Sequence, residues 1–324
     1  MSDEQPHLPP LIAVVGPTAV GKTATAIALA QAFDGEIVSA DSRQLYIGMD
    51  IGTAKPTPEE QAAARHHLID ILTPDQQMTL ADFQDRAYAA IADITARGKL
   101  PLLVGGTGLY VRAVLEGYRI PRVPPNPEFR RAMEALAARE GAQALYTRLQ
   151  ALDPEAAANI DPRNVRRVIR ALEVIEATGE PFSAQQGREP PPYDILRIGL
   201  TMPRDALYAR ADARIRAMWE AGWVDEVRRL VAAGYTPETS DAMKSLGYPE
   251  VVAYVRGEIT DENEVLRLIG RSTRRFIRQQ YGWFRLDDPR IHWFDVQQQP
   301  REAITAFVAQ WLARRSPPSP PPRQ

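Results

Sequence analysis

"AVVGPTAVGKTA", residues 13–24, sets a glycine-rich turn between an apolar run at 11–15 and a helix-forming one at 24–33. The turn fits G-x-x-x-x-G-K-[ST] with Gly16, Gly21, Lys22 and Thr23, and the strand, loop and helix context is what that motif requires. The glycines let successive backbone N–H groups turn inward, and the helix start adds its positive dipole end. The Lys22 ammonium and Thr23 hydroxyl can reach phosphate oxygens and a magnesium ion. Gly16, Pro17, Thr18, Ala19, Val20, Gly21, Lys22 and Thr23 are therefore expected to hold a diphosphate or polyphosphate, with Thr23 touching Mg2+. The loop does not say which molecule carries that phosphate.

Outward from the loop, apolar and β-branched runs at 11–15, 36–40, 100–104 and 196–201 alternate with helical segments, and a further strand is possible at 291–296. The alternation predicts an α/β fold of the P-loop NTPase-like kind, with a mainly parallel sheet flanked by helices. Two proline-rich stretches, IPRVPPNP (120–127) and REPPPY (188–193), bracket a region rich in Ala, Leu, Glu and Arg, which reads as an all-helical insertion domain. The predicted organisation is a core in two parts, 1–119 and 194–314, around an insertion at 120–193. The second part carries helices at 205–233, 262–284 and 301–313, and a proline-rich tail at 315–324 is expected to be disordered.

The composition narrows the class. The chain has 324 residues, 44% hydrophobic and 25% charged, with a net charge of −2, the proportions of a globular protein able to bury a large core. No segment is long and apolar enough to span a bilayer, and the acidic, proline-containing start is unlike a signal peptide, so a cytoplasmic location and no membrane partner are expected. A monomer is expected. With no cysteine there is neither a disulfide framework nor a thiolate metal site. The adjacent His66 and His67 diverge on a strand, so hydrogen-bonded structural roles fit them better than zinc.

Two further stretches follow predicted strands. SADSRQLY (39–46) places Asp41 at the carboxyl end of a strand, where open α/β sheets bind ligands, although an aspartate there can equally cap a turn. VGGTGLY (104–110) puts Thr107 among small residues that allow close backbone approach. Between them the loop YIGMDIGTAKPTPEE (46–60) is too polar and glycine-punctuated to read as a mere connection. Arginines concentrate at RNVRRVIR (163–170) and on a later helix. There Arg267, Arg271, Arg274 and Arg278 follow steps of four, three and four and share one face. Like charges so spaced repel by roughly 0.2 to 0.5 kcal/mol per pair, so the face suits either a polyanion or neutralisation by acids elsewhere in the fold.

GPTAVGKT, DSRQLYIGMDIGTAKPT, HHLIDI and LVGGTGLY, in this order and spacing, together with RRVIRALEV (166–174) and QQYGWFR (279–285), closely resemble the bacterial tRNA dimethylallyltransferase family. The resemblance covers nearly all of the chain except its tails. It implies transfer of a dimethylallyl group from dimethylallyl diphosphate to the exocyclic N6 amine of the adenosine just 3′ of the anticodon, tRNA position 37, with release of diphosphate and Mg2+ as cofactor. It implies Asp41 as the base, Arg214 in the diphosphate clamp and Thr107 near the reacting adenosine. It also implies an anticodon stem-loop partner gripped by Asp41, Ser42, Arg43, Gln44, Arg130, Arg166, Arg167, Val168, Ile169, Arg170, Arg267, Arg271, Arg274, Arg278, Gln280 and Arg285. The chain departs from the family at Pro249, Gln279 and Gly282, which bears on the tRNA contacts rather than the reaction. From the residues alone Arg214 can be a solvated helix arginine and Thr107 a cap. The competing reading is a P-loop small-metabolite kinase using ATP, which leaves the 41–57 stretch unexplained. A second rival is a non-catalytic nucleic-acid-binding NTPase or switch, but the chain has no guanine-reading NKxD sequence and no apolar strand ending in a Walker-B-like acidic pair.

Overall fold

The structure, a computed structural model, describes residues 8–315. Its strands are β1 (Pro10–Val15), β2 (Gly35–Ser39), β3 (His66–His67), β4 (Leu100–Gly105), β5 (Tyr118–Arg119), β6 (Gly187–Arg188), β7 (Asp194–Thr201) and β8 (Ile291–Asp295). Six of them form one sheet in the order β3-β2-β4-β1-β7-β8, every neighbouring pair parallel. Such a sheet is covered on both faces, which is why β1 and β4 read as unbroken apolar runs. On one face Ile12, Val14, Ile37, Leu102 and Leu200 pack with Ala26 and Leu29 of the helix Lys22–Ala32 and with Ile304 and Val308 of the helix Arg301–Ala313. The helix Leu80–Ala96 buries Phe83, Ala87, Ile91 and Ile94 and packs on β2 and β4.

The edge strand β3, His66–His67, is not one of the apolar runs that mark the other strands in the sequence, although the two histidines read as strand residues. Two residues are too few for a periodic signal, and the pairing of Ile37 with His66 and Val38 with His67 is a tertiary event. His67 is tied through Nε2 to the Glu36 carboxylate at 2.7 Å, and Arg97 donates to the same carboxylate at 2.5 and 2.7 Å. The Arg97 hydrogen bonds, opposed by burial and helped by His67, hold the Glu36 pKa down at about 2. Both histidines are structural, since His66 Nδ1 meets the Ala64 carbonyl. The helix expected over 205–233 is two helices, Arg204–Glu220 and Trp223–Ala232, separated at Gly222, whose φ of 97° an L-residue rarely adopts.

The chain divides into two compact units, one spanning Ala113–Pro191 and the other the rest. The smaller unit begins inside the helix Gly108–Leu115, earlier than the prolines suggest. Its helices Pro127–Glu140, Ala142–Leu152, Pro154–Ala158 and Val165–Thr178 enclose Leu145, Leu149, Val168, Leu172 and Phe182. It is helical apart from the short antiparallel pair of β5 and β6. Of the proline-rich tail expected at 315–324, only Arg315 lies within the described residues.

Candidate active site

Strand β1 delivers the chain to Gly16, whose φ is 143° and where a Cβ would sit 2.4 Å from the Leu200 carbonyl oxygen of β7. Only glycine fits. The loop then turns over the start of the helix Lys22–Ala32, where Gly21 supplies no side-chain cap, leaving first-turn N–H groups for an anion. Lys22 Nζ donates to the Pro17 carbonyl at 2.8 Å. Burial lowers the Lys22 pKa to about 8, with Asp41 opposing the shift and Arg214 adding to it. A buried cation so placed gains from an incoming anion.

Asp41 follows the carboxyl end of β2. Its Oδ1 accepts the Arg43 N–H at 2.8 Å, so the residue both makes a turn and borders the cavities of the site. Thr107, after β4, supports that turn: its Oγ1 accepts the Ser42 N–H at 3.0 Å and lies 3.3 Å from the Ser42 hydroxyl. The Thr107 N–H donates to the Ala40 carbonyl at 3.3 Å.

Arg214 comes from the helix Arg204–Glu220. Burial lowers its pKa, and the nearby Asp41 charge opposes that shift. One turn earlier Arg210 lies against Gly21, within 3.5 Å of where a Cβ would be. Sequence reasoning missed Arg210, although its four-residue spacing from Arg214 was a readable signal.

Two cavities meet here. One, of about 800 Å3, is bordered by Gly21, Lys22, Thr23, Arg210 and Arg214. The other, of about 470 Å3, is bordered by Ser42, Arg43, Thr107, Trp223, Lys244, Arg275, Gln279 and Trp283. Thr18, Ala19, Asp41, Thr53, Ala54, Arg214 and Met218 border both. An anion held on the first side and a nucleophile entering from the second would meet beside the Asp41 carboxylate. The second side carries Trp283, 41% exposed, with the Arg112 guanidinium 5.9 Å from its ring. Trp223, Lys244, Arg275 and Trp283 were not singled out from the sequence, because nothing local distinguishes them from surface or core residues.

The residues expected to touch RNA divide sharply. Gln280 is buried: its Oε1 accepts the Thr18 N–H at 2.8 Å and its Nε2 donates to the Gly106 carbonyl at 3.1 Å. It ties the phosphate loop to the end of β4, so its polar atoms are engaged within the protein. Gln44 is likewise committed, accepting from the Ser39 hydroxyl at 3.1 Å and donating to the Ala54 carbonyl at 3.1 Å. Val168 and Ile169 have their side chains packed in the core of the smaller unit. Arg130 and Arg170 both pair with buried Glu173, at 2.8 and 2.7 Å. Arg267 pairs with Glu264 at 2.6 Å, Arg274 with Asp212, and Arg285 with Asp287 at 2.7 Å. Arg166, Arg167 and Arg271 are exposed and have no acidic partner among the described residues, and exposed Arg278 reaches only the Tyr208 hydroxyl at 3.5 Å. Arg43 donates to the Asp241 carbonyl at 3.3 Å.

The family model described as IPP transferase matches residues 44–287. A tRNA dimethylallyltransferase of Roseiflexus sp. (strain RS-1) is 56% identical over 304 residues, covering 94% of this chain and 99% of its own length. The crystal structure of a full-length tRNA isopentenylpyrophosphate transferase from Bacillus halodurans superposes with a TM-score of 0.69 at 42% identity, over 94% of this chain and 97% of that one. A eukaryotic dimethylallyltransferase acting on tRNA shares the fold, with a TM-score of 0.81 at 24% identity over 96% of this chain and 81% of that one.

Proposed function

Because the chain belongs to the IPP transferase family, we propose that it transfers the dimethylallyl group of dimethylallyl diphosphate to the N6 amine of adenosine 37 in tRNA. The observation that carries this reading is the junction of the two cavities at Asp41 and Arg214, with phosphate-binding groups on one side and an exposed tryptophan among basic side chains on the other.

The N6 lone pair is delocalised into the adenine ring, so the amine needs to lose its proton as the new C–N bond forms. In this reading Asp41 accepts that proton, a role contributing roughly 10²- to 10⁴-fold. The allylic C–O bond breaks as N6 bonds to carbon, and its electron pair leaves on diphosphate. The Lys22 ammonium, the Arg214 and Arg210 guanidiniums and the loop N–H groups stabilise that growing charge more than the ground state. Thr107 fixes the Asp41 turn. The adenosine must leave its stack to reach the junction, which costs a few kcal/mol and calls for a grip on the surrounding RNA backbone. Of the arginines expected at the RNA, Arg166, Arg167, Arg271 and Arg278 are without an acidic partner among the described residues and would supply one.

A magnesium ion fits the donor set. No cluster of three or more acidic, histidine or cysteine ligands occurs among the described residues. Mg2+ commonly takes one or two protein oxygens and completes its shell with phosphates and water. The Thr23 hydroxyl would hold it, and the ion would neutralise charge on the leaving diphosphate. No helix among the described residues is long and apolar enough to cross a membrane, and we place the protein in the cytoplasm with its tRNA, acting as a monomer. The kinase alternative is not favoured by the family.

The test is incubation with Mg2+, dimethylallyl diphosphate and unmodified tRNA, followed by nuclease digestion and mass analysis. A five-carbon addition on adenosine is expected. ADP formation from ATP with no prenylated nucleoside would overturn the reading.

A further inference from the structure

Glu226 is 1% exposed, on the helix Trp223–Ala232, and no cation pairs with it among the described residues. Its carboxylate instead accepts the backbone N–H groups of Asp50, Ile51 and Gly52 at 2.8, 2.7 and 3.2 Å, and the Tyr248 hydroxyl at 2.7 Å. A buried charge held only by neutral donors is favourable when those donors are fixed in place, and three consecutive amides aimed at one carboxylate are such an arrangement. The burial of Tyr248 and the adjacent Glu226 charge raise the Tyr248 pKa well above its ordinary value, so the phenol remains a donor.

The turn held this way leads directly to the junction wall. Trp223, one helical turn before Glu226, lies against Gly52, where a Cβ would come within 2.2 Å of the indole nitrogen. Its far edge meets Gly247, where a Cβ would come within 2.2 Å of the ring. Thr53 and Ala54, the next residues of the turn, border both cavities beside Asp41 and Arg214. Lys55 closes the loop from the other side, donating to the Tyr46 carbonyl at 2.8 Å and to Asp50 and Asp70 at 2.5 Å each.

We propose that Glu226 is a positioning residue: with Tyr248 it fixes the 50–52 turn so that Thr53 and Ala54 set the width of the chamber holding the allyl chain, and hence the length of prenyl group accepted. This rests on the prenyl-transfer reading above. Glu226→Gln keeps the size but replaces an acceptor oxygen with an NH2 that faces backbone donors, releasing the turn. The variant is compared with wild type using dimethylallyl and geranyl diphosphates as alternative donors. Preference for the five-carbon donor is expected to fall about tenfold or more, on the scale a loosened apolar pocket allows, while the KM for tRNA stays within about twofold. Tyr248→Phe, which leaves the three amide bonds in place, is expected to move the preference the same way by about threefold.

Hydrogen exchange at the Asp50, Ile51 and Gly52 amides supplies a readout that needs no activity, and Glu226→Gln is expected to accelerate it about a hundredfold or more. Wild-type transfer of the five-carbon group checks the reading on which the proposal stands, separately from the variants. Unchanged donor preference in Glu226→Gln, or equal loss of rate with both donors, would overturn it. So would continued protection of the three amides. Should Glu226→Gln fail to fold, an unchanged donor preference in Tyr248→Phe overturns it instead.

Discussion

In the proposed reading, Asp41 and Lys22 each carry a step on a single side chain. In Asp41→Asn the amide oxygen can still accept the Arg43 N–H, so the turn survives, but the side chain can no longer act as the proposed base. Single-turnover prenyl transfer is expected to fall by about 10²- to 10⁴-fold with donor affinity unchanged. A rate near wild type would make Asp41 a turn residue only. Lys22 sets a pH dependence. Its pKa, lowered to about 8 by burial, means that the cation is present below that pH and lost above it. Since an anionic donor needs the cation, kcat/KM for the donor is expected to fall as pH rises through about 8, where the free-enzyme titration is read. Lys22→Arg keeps its charge across that range and should remove the falling limb, whatever its absolute rate. A profile of kcat/KM across this range for both proteins checks the assignment.

The helix Glu262–Trp283 does two jobs along its length. Its buried side carries Ile269, Thr273, Ile277 and Gln280, the last reaching the phosphate loop. Its exposed arginines are not equivalent, since Arg267 and Arg274 already have the Glu264 and Asp212 carboxylates while Arg271 and Arg278 have no acid among the described residues. Replacing Arg271 and Arg278 together by Gln is expected to reduce the log–log salt slope of stem-loop binding by about 1.4 to 1.8, from about 0.7 to 0.9 per phosphate contact. The Arg267→Gln and Arg274→Gln pair should change it less, because each of those arginines must first give up a partner. Anisotropy across a salt series, with donor affinity measured in parallel, separates the two. Slopes unchanged from wild type in both double variants would mean that RNA does not use this face.

At the scale of the molecule, two compact units have separate cores, so a single two-state unfolding description is unsuited to the chain. In the smaller unit, burial would raise the Glu173 pKa. The hydrogen bonds from Arg130, from the Asn126 N–H and from Arg170 outweigh that and lower it. A depressed carboxylate pKa contributes stability above its unfolded value of 4.5 and loses it as pH falls through the folded value. Glu173→Ala leaves two partly buried arginines without their acid and is expected to destabilise this unit by about 2 to 4 kcal/mol. Hydrogen exchange should locate the loss in 113–191, while the amides of β1 and β4 keep their protection. Adding Mg2+ and inorganic diphosphate should do the reverse, stabilising the sheet unit by about 2.7 kcal/mol at a hundredfold excess over Kd and leaving the smaller unit unchanged. Equal shifts in both regions would mean that they unfold as one.

The sequence by itself determined the phosphate loop, the parallel sheet, the helical insertion and the family, because each depends on local order. A glycine spacing, an apolar run of strand length and a pair of proline clusters act within a few residues of themselves. The placement of Asp41 and Thr107 at strand ends was legible for the same reason, as each follows its own strand. What only the tertiary structure decided is which polar side chains remain free. Gln44, Gln280, Arg130, Arg170, Arg267 and Arg274 look in the sequence like any exposed polar residue. Arg267 and Arg170 have acids three positions away on their own helices, which helical spacing could have shown, but the partners of Arg130, Arg274 and Gln280 lie 43 to 262 positions away, where local periodicity carries no information. The same holds for Glu226 and the 50–54 turn, which are 174 residues apart at their Gly52 contact. A carboxylate and three amides become one device only when folding removes water from between them, since in water each would be satisfied separately.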